Sequence, residues 1–245
     1  MGVVPSSLVE DNFVRVCGQI VASASRAGRN PGEVKLVVVT KGHSLDVIRA
    51  VIEAGATRLG ENYVEEGIEK IVSLREEVDI EWHMVGHIQS RKAKLVSEHF
   101  NWIHSVDSEK IAVRLDRFAR EKGCTLPVLL ECNISGEESK YGFHAETEGS
   151  WEKLSSEIAA ILQLPNLVVK GLMTMAPYAA NAEESRPYFR RLRQFRDRLS
   201  IDFPESSWTE LSMGMSADFE IAIQEGATMV RIGEAILGPR SYKGG

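Results

Sequence analysis

The sequence predicts one α/β domain, a (β/α)8 TIM barrel with an extra helix at its N-terminus. Short runs rich in valine, isoleucine and leucine alternate with amphipathic helical stretches, and this alternation is typical of a parallel sheet. Eight strand–helix units fit into 245 residues, a usual length for one such barrel. No change of composition marks a second domain. We therefore expect a single domain over 1–245, with the leading helix in 1–30 and the barrel in 34–240.

The first half of the chain supplies the leading helix and four strands. Apolar residues recur every three or four positions between Val9 and Ala24, which predicts a helix over 6–28. The run VKLVVVT predicts the first strand over 34–40, because an uninterrupted β-branched run is typical of a buried parallel strand. Three more strands are predicted at 57–60, 82–86 and 102–106, with helices beginning near Ser44, Asn62 and Ser90.

The second half continues the same alternation with four more strands. A helix is predicted between Ser108 and Gly123, because apolar residues fall at helical spacing and glycine ends it. A strand at 127–133, a polar loop at 135–144 and a helix at 151–162 follow. The last strands are predicted at 167–173, 210–213 and 227–232, each followed by a helix, of which the final one begins near Glu234.

An open, doubly wound sheet is the alternative fold. It would normally carry a glycine-rich phosphate turn, GxGxxG, after its first strand. Here the first strand ends in Thr40-Lys41-Gly42-His43, which lacks that spacing. The barrel is therefore the fold that we expect.

Composition limits the classes of function. A net charge of −6 argues against a nucleic-acid partner, and 43% hydrophobic with 26% charged residues is ordinary for a water-soluble protein. No apolar run is long enough to span a membrane and no signal-peptide pattern opens the chain, so we expect a cytoplasmic protein without a membrane partner. Three cysteines without CxxC spacing indicate a reducing compartment and no metal site.

Lys41 is the first candidate functional residue. In a barrel, the functional face lies at the C-terminal ends of the strands, and Lys41 follows the first strand directly. Strand side chains alternate, so Lys41 is expected on the same face as Val37 and Val39. A primary amine there can contact a phosphate, form a Schiff base, or extend to water as an ordinary strand-end lysine.

Two glycine turns near the end of the chain predict a phosphate site. The segment LSMGMS places Gly214 between the hydroxyls of Ser212 and Ser216, and Arg231 and Gly233 open a second short helix. Barrels frequently bind phosphate between the loops after the seventh and eighth strands, where backbone N–H groups face the anion. Taken alone, Ser216 is better explained as a helix cap and Gly233 as a tight turn than as parts of a ligand site. Together with the lysine they fit a ligand with a phosphate and a carbonyl, either pyridoxal 5′-phosphate (PLP) or a phosphorylated keto sugar.

Several motifs occur in the order found in one known family. They are VVVTKGHS, LGENYVEE, WHMVGHIQSRK, NISGEESKYGF, GLMTM and LSMGMSADFEIAI followed by GATMVRIGEAILGPR. Over residues 34–240 the chain resembles the YggS/PROSC family of PLP homeostasis proteins. The resemblance implies a barrel like the N-terminal domain of alanine racemase, with PLP held as a Schiff base on Lys41. It further implies a phosphate site at Ser212, Gly214, Ser216 and Gly233, and Asn62 and Arg231 complete the expected cofactor-binding set.

The chain departs from the family pattern in two places. Gly42-His43-Ser44 follows Lys41 where a second basic residue and a proline are common, and Glu234 stands where a small hydroxyl residue is common. A side-chain contact to the phosphate is therefore lost, and Glu234 is expected to point away from it.

The resemblance implies a PLP-binding protein of vitamin B6 homeostasis with no established catalytic activity. PLP-dependent apoenzymes are candidate recipients, and a monomer or weak dimer is expected. The alternative is an amino-acid racemase of the alanine racemase type, which needs a second acid/base group opposite the lysine; no residue of this chain is assigned that role. A Schiff-base aldolase is less favoured, because the lysine lies on the first strand.

Overall fold

Eight parallel strands close into a barrel in the computed structural model of the chain, which describes residues 5–75 and 79–239. The first strand pairs with both the second and the last, so the sheet has no open edge within the barrel. A two-residue strand, β6, lies outside the barrel and pairs with β5. The strands are β1 (Lys35–Val39), β2 (Arg58–Glu61), β3 (Glu81–Met84), β4 (Trp102–Val106), β5 (Leu126–Asn133), β6 (Phe143–His144), β7 (Leu167–Met173), β8 (Glu210–Ser212) and β9 (Met229–Ile232).

Helices alternate with the strands and surround the barrel. They are α1 (Ser6–Arg26), α2 (Leu45–Glu53), α3 (Val64–Leu74), α4 (Ala93–His99), α5 (Glu109–Lys122), α6 (Glu148–Leu162), α7 (Arg186–Asp202), α8 (Phe219–Gln224) and α9 (Glu234–Leu237). The predicted barrel with a leading helix is confirmed. The single-domain prediction for 1–245 includes residues 1–4, 76–78 and 240–245, which lie outside the described residues.

Two local features differ from the sequence prediction. The loop predicted over 135–144 contains β6, which pairs with the end of β5 and is too short to show a pattern of its own. Helix α6 begins at Glu148, three residues before the predicted start. Thr147 explains this early start, because its side chain accepts the Ser150 N–H (3.3 Å) while the Ser150 hydroxyl accepts the Thr147 N–H (3.1 Å).

The barrel interior is unusually polar. His104 on β4 and Ser212 on β8 lie 2.9 Å apart through their side chains, although their strands are not neighbours in the sheet. This contact therefore crosses the interior. Leu129, Met173 and Met229 form a small apolar cluster that is separate from the large core between strands and helices.

The leading helix supports the last helix of the barrel. Asn12 Nδ2 donates to the Ile236 carbonyl (3.2 Å), and Arg15 donates to the Ala235 carbonyl (2.8 Å). Helix α1 thereby holds the turn between β9 and α9 from outside. In the described ranges, no helix is both long enough and apolar enough to cross a membrane.

Candidate functional site

Lys41 lies in a tight turn directly after β1. The His43 N–H donates to the Thr40 carbonyl (3.1 Å), which leaves Lys41 and Gly42 as the two central residues of a β-turn. Gly42 has φ 74°, a left-handed conformation that glycine adopts with little strain. Since Lys41 belongs to this turn, the alternation of strand side chains does not fix its direction. Its side chain is half-buried.

Charged side chains from β2 and α3 bind the turn on both sides of the lysine. Thr40 Oγ1 donates to Glu61 Oε1 (2.5 Å), and the Gly42 N–H donates to Glu66 Oε1 (2.6 Å). Lys70 Nζ donates to the Thr40 carbonyl (2.7 Å) and to both carboxylates. Burial raises the pKa of Glu61, and the neighbouring Lys70 ammonium opposes that rise. We call Glu61, Glu66 and Lys70 the turn clamp.

The two glycine turns after β8 and β9 lie against each other. The Arg231 N–H donates to the Gly214 carbonyl (3.0 Å), and the Ala235 N–H donates to Ser216 Oγ (3.2 Å). A Cβ on Gly214, whose φ is 92°, would lie 2.6 Å from Ala222 Cβ. Both turns are therefore packed too closely for larger residues at their centres.

Gly233 brings the second turn to the strand that carries the lysine. A Cβ on Gly233 would lie 2.8 Å from the Val39 carbonyl oxygen, closer than such atoms approach. Val39 is the last residue of β1, two positions before Lys41. The structure therefore brings Lys41, Gly214, Ser216 and Gly233 to one side of the barrel mouth. Glu234, which follows Gly233, is exposed.

Ser212 and Arg231 face the barrel interior. Arg231 Nη1 donates to Ser212 Oγ (2.6 Å), and Arg231 Nη2 donates to the Thr174 carbonyl (2.9 Å). Burial lowers the pKa of Arg231 to about 10, with Glu131 and Asp218 opposing the shift, so the guanidinium stays cationic at neutral pH. The Ser212 side chain points inward from β8 itself, whereas Ser216 lies in the loop beyond. The Ser212 hydroxyl contacts Arg231 and His104 in this structure, and its expected phosphate contact stays a prediction.

Asn62 lies in the loop after β2 and is half-buried. Its backbone packs against Gly86, because a Cβ on Gly86 would lie 2.3 Å from the Asn62 carbonyl oxygen. Asn62 thus borders the mouth between β2 and β3.

Sequence reasoning missed the buried polar residues of the interior. His104 and Glu131 interrupt the apolar runs of their strands, and that interruption was the available signal. Burial raises the pKa of Glu131 to about 7, with the nearby Asp107 adding to the shift and Arg231 opposing it. Within the described ranges, Glu131 Oε2 has no hydrogen-bond partner.

A cavity of about 340 Å³ opens beside the loops that follow β3, β4 and β5. His87 Nδ1 lies 2.9 Å from Asp107 Oδ2, and the His87 ring stacks on Tyr141 with 3.7 Å between centroids. His83 lies inside the barrel instead, where its ring contacts His104 and Glu81. Among residues 5–75 and 79–239, no group of three or more His, Cys, Asp or Glu side chains could hold a metal ion.

Comparison with known proteins identifies the class of this barrel. A family model described as the N-terminal domain of alanine racemase matches residues 21–241. Alanine racemase from Clostridium difficile 630 superposes with a TM-score of 0.67 at 16% identity, covering 92% of this chain and 56% of its own. That likeness shows the fold alone. The molecule is thus a barrel of the alanine racemase N-terminal class.

More similar relatives identify the family within that class. The pyridoxal phosphate homeostasis proteins of Vibrio alginolyticus and Aquifex aeolicus are each 40% identical, covering 96% and 95% of this chain and 99% and 98% of their own. PipY of Synechococcus elongatus PCC7942, solved with PLP bound, is 37% identical with a TM-score of 0.78, over 89% of this chain and 100% of its own. The chain belongs to the family of pyridoxal phosphate homeostasis proteins.

Proposed function

We propose that this chain binds PLP at the barrel mouth, holds it as a Schiff base on Lys41, and serves intracellular PLP homeostasis without catalytic turnover. The observation that carries the proposal is the contact of Gly233 with the end of β1. This contact supports the proposal because it brings a glycine turn suited to a phosphate close to the strand that leads into Lys41. PLP supplies the complementary pair of groups, an aldehyde and a phosphate.

The phosphate is assigned to the turns after β8 and β9. Gly214 and Gly233 let the backbone approach an anion without a side chain in the way, and the glycine packing leaves no room for a Cβ. Ser216 Oγ accepts the Ala235 N–H and still has its own hydrogen to donate to a phosphate oxygen. Glu234 contributes its backbone only.

The remaining cofactor contacts are assigned to Arg231 and Asn62. Arg231 is a fixed cation that can only donate hydrogen bonds, so it suits an acceptor atom of the cofactor ring. Ser212 acts through Arg231, and Asn62 borders the mouth on the other side of β1.

The test is the absorption spectrum of the full chain with PLP, before and after borohydride reduction, followed by peptide mapping. We expect a yellow protein whose reduced label maps to Lys41, and a Lys41→Ala variant without the yellow band. Lys94→Ala is the matched control, since Lys94 is an exposed lysine of α4. A wild-type protein that stays colourless with PLP would overturn the proposal, and a label on another lysine would move the Schiff base.

The racemase alternative is not favoured. Alanine racemase matches this chain over 56% of its own length, so the likeness covers only part of that enzyme. An amino-acid assay in deuterated water separates the two functions, because a racemase incorporates deuterium at Cα as it inverts the substrate. We expect no turnover above that of free PLP.

Partners and location belong to the same proposal. We propose PLP-dependent apoenzymes as recipients in the cytoplasm, and a monomer or weak dimer as the active form. Mixing the PLP-loaded chain with an apoenzyme tests the first point, because direct transfer is faster than release of free PLP followed by capture.

A further inference from the structure

A continuous row of hydrogen bonds runs through the barrel interior, from the mouth towards its opposite end. Arg231 Nη1 binds Ser212 Oγ (2.6 Å), and Ser212 Oγ lies 2.9 Å from His104 Nδ1. His104 Nε2 lies 2.8 Å from His83 Nδ1, and His83 Nε2 lies 3.0 Å from Glu81 Oε1. The row connects five side chains on β9, β8, β4 and β3. We call it the interior relay.

The relay ends on a carboxylate with three donors. Besides His83, Arg58 Nε donates to Glu81 Oε1 (3.1 Å) and Trp102 Nε1 donates to Glu81 Oε2 (3.2 Å). The hydrogen bond from His83 is the main cause that lowers the pKa of Glu81, so this carboxylate is ionised and can only accept.

The ionised end fixes every proton in the row. Both histidines are buried, and burial lowers their pKa values below the ordinary value, which favours neutral rings at pH 7. His83 must donate to Glu81 through Nε2, which makes its Nδ1 an acceptor for the His104 Nε2–H. His104 Nδ1 is then an acceptor as well, and the Ser212 hydroxyl donates to it. Ser212 oxygen in turn accepts from Arg231, so all four hydrogen bonds point the same way.

The guanidinium of Arg231 needs the relay to hold its position, because its hydrogen-bond partners are neutral. In the described part of the chain its side chain bonds to the Ser212 hydroxyl and the Thr174 carbonyl, and to no carboxylate. A buried guanidinium bound only to neutral oxygens is held loosely unless those oxygens are themselves fixed. The relay fixes Ser212 Oγ and points its lone pair at Arg231.

We infer that His83 and His104 are positioning residues for Arg231, and that their Nε2–H tautomers set the direction in which its guanidinium is held. Neither histidine lies at the mouth or touches the cofactor under the proposed function. The inference rests on that function only for its effect on bound PLP, because the relay itself is a property of the protein alone.

The first experiment reads the tautomers directly. Two-bond ¹H–¹⁵N spectra of the full chain, with His83 and His104 assigned, distinguish protonated from bare ring nitrogens. We expect both rings neutral with hydrogen on Nε2 at pH 7, without PLP and with it. A hydrogen on Nδ1 of either ring, or a doubly protonated ring, overturns the inference.

The second experiment separates positioning from packing. His83→Asn keeps an acceptor near the Nδ1 position but removes ring volume, whereas His83→Phe keeps the ring and removes the acceptor. If the relay positions Arg231, we expect His83→Phe to weaken PLP binding about tenfold and to shift the absorption maximum of bound PLP, with His83→Asn nearer to wild type. If His83 only fills space, the order of the two variants reverses, which contradicts the inference.

The control is His99→Asn, because His99 ends α4 outside the barrel and should leave both readouts unchanged. The proposed function and the relay can also be disproved independently of each other. A wild-type protein that binds no PLP overturns the proposed function, while the tautomers still decide the relay. If His83→Phe does not fold, the tautomers still decide it.

Discussion

The turn that carries Lys41 depends on residues that themselves make no contact with a cofactor aldehyde. Its conformation requires glycine at position 42, and its two flanks are bonded to the turn clamp. The departure from the family pattern at Gly42 therefore has a local explanation, since a residue at φ 74° in the centre of a β-turn favours glycine. A lysine held in a braced turn has fewer conformations to lose when it forms a covalent bond.

Removing the ammonium of the turn clamp tests this account. Lys70→Met leaves two carboxylates unpaired, of which Glu61 is fully buried, and we expect the free energy of unfolding to fall by about 3 kcal/mol. We also expect less borohydride-fixed PLP on Lys41. Urea denaturation and peptide mapping measure the two effects. Lys94→Met, at an exposed pair 3.8 Å from Glu98, should cost less than about 1 kcal/mol. Equal losses for both variants would contradict a bracing role.

Glu131 gives a pH-dependent prediction. Its pKa in the folded protein is about 7, against 4.5 for the ordinary group, because it is buried near Asp107 and only Arg231 opposes the shift. The stability that the neutral carboxyl contributes is complete below its ordinary pKa and is lost as pH rises through about 7. Glu131→Gln should therefore gain stability relative to wild type between pH 5 and 8, by on the order of 3 kcal/mol.

Thermal unfolding across that pH range measures the difference, which corresponds to several degrees in Tm for a chain of this size. Glu53→Gln is the control, because Glu53 is exposed at the end of α2 and should follow the wild-type curve. A constant offset between Glu131→Gln and wild type at all pH values would show that folding does not raise the pKa of this carboxyl.

Strands and helices were predictable wherever one pattern dominated the segment. The apolar runs at β1, β5 and β7 are long enough to indicate strands without ambiguity. The predicted ends of these strands lie within one or two residues of the observed ends. The start of α6 was not predicted correctly, because Gly149 and Ser150 favour other structures. The helix begins there only because Thr147 and Ser150 cap it through reciprocal hydrogen bonds. Strand β6 was not predicted, because it is defined only by its pairing with β5. A local sequence pattern does not indicate which other strand a segment pairs with.

The candidate site was predictable in part for the same reason. Loop glycines and serines mark turns by their residue type, so the turns at Gly214, Ser216 and Gly233 were predictable, while their phosphate-binding role stays a prediction. The end of β8 was predicted within one residue, but the inward direction of the Ser212 side chain follows from its contacts with His104 and Arg231, which no local pattern reports. His104 and Ser212 come together only through barrel closure, because β4 and β8 are far apart in the chain and are not neighbours in the sheet.

The junction of β9 with α9 supplies the next prediction. Gly233→Ala should lower both Tm and PLP affinity, because its Cβ would lie 2.8 Å from the Val39 carbonyl and must push the last turn away from β1. Gly149→Ala is a matched control. A Cβ there meets nothing within 4 Å, and alanine is favoured over glycine inside a helix by about 1 kcal/mol. In calorimetry, the Tm should fall for Gly233→Ala and rise for Gly149→Ala. A PLP titration should show weaker binding for Gly233→Ala. An unchanged PLP affinity for Gly233→Ala would place the phosphate elsewhere.

At the scale of the molecule, the proposed site spans the seam where the barrel closes. Residues from Lys35 to Val38 of β1 pair with residues from Met229 to Ile232 of β9, which joins the beginning of the barrel to its end. A ligand bonded to Lys41 and to the turns after β8 and β9 adds a second link across this seam. Helix α1 adds a third from outside, through Arg15 and the Ala235 carbonyl.

PLP should therefore stabilise the whole barrel and protect the seam in particular. Binding to the folded state alone adds about 2.7 kcal/mol at a ligand concentration of one hundred times Kd, so Tm should rise by about 5 °C or more. Hydrogen exchange should slow in residues 40–43, 211–216 and 231–235, and should not change in 135–144. Lys41→Ala should show a smaller rise in Tm, and Ser216→Ala should require more PLP for the same rise. Slowed exchange confined to 135–144 and the residues around Asp107 would instead place the ligand in the cavity beside His87, and the seam would then have no part in binding.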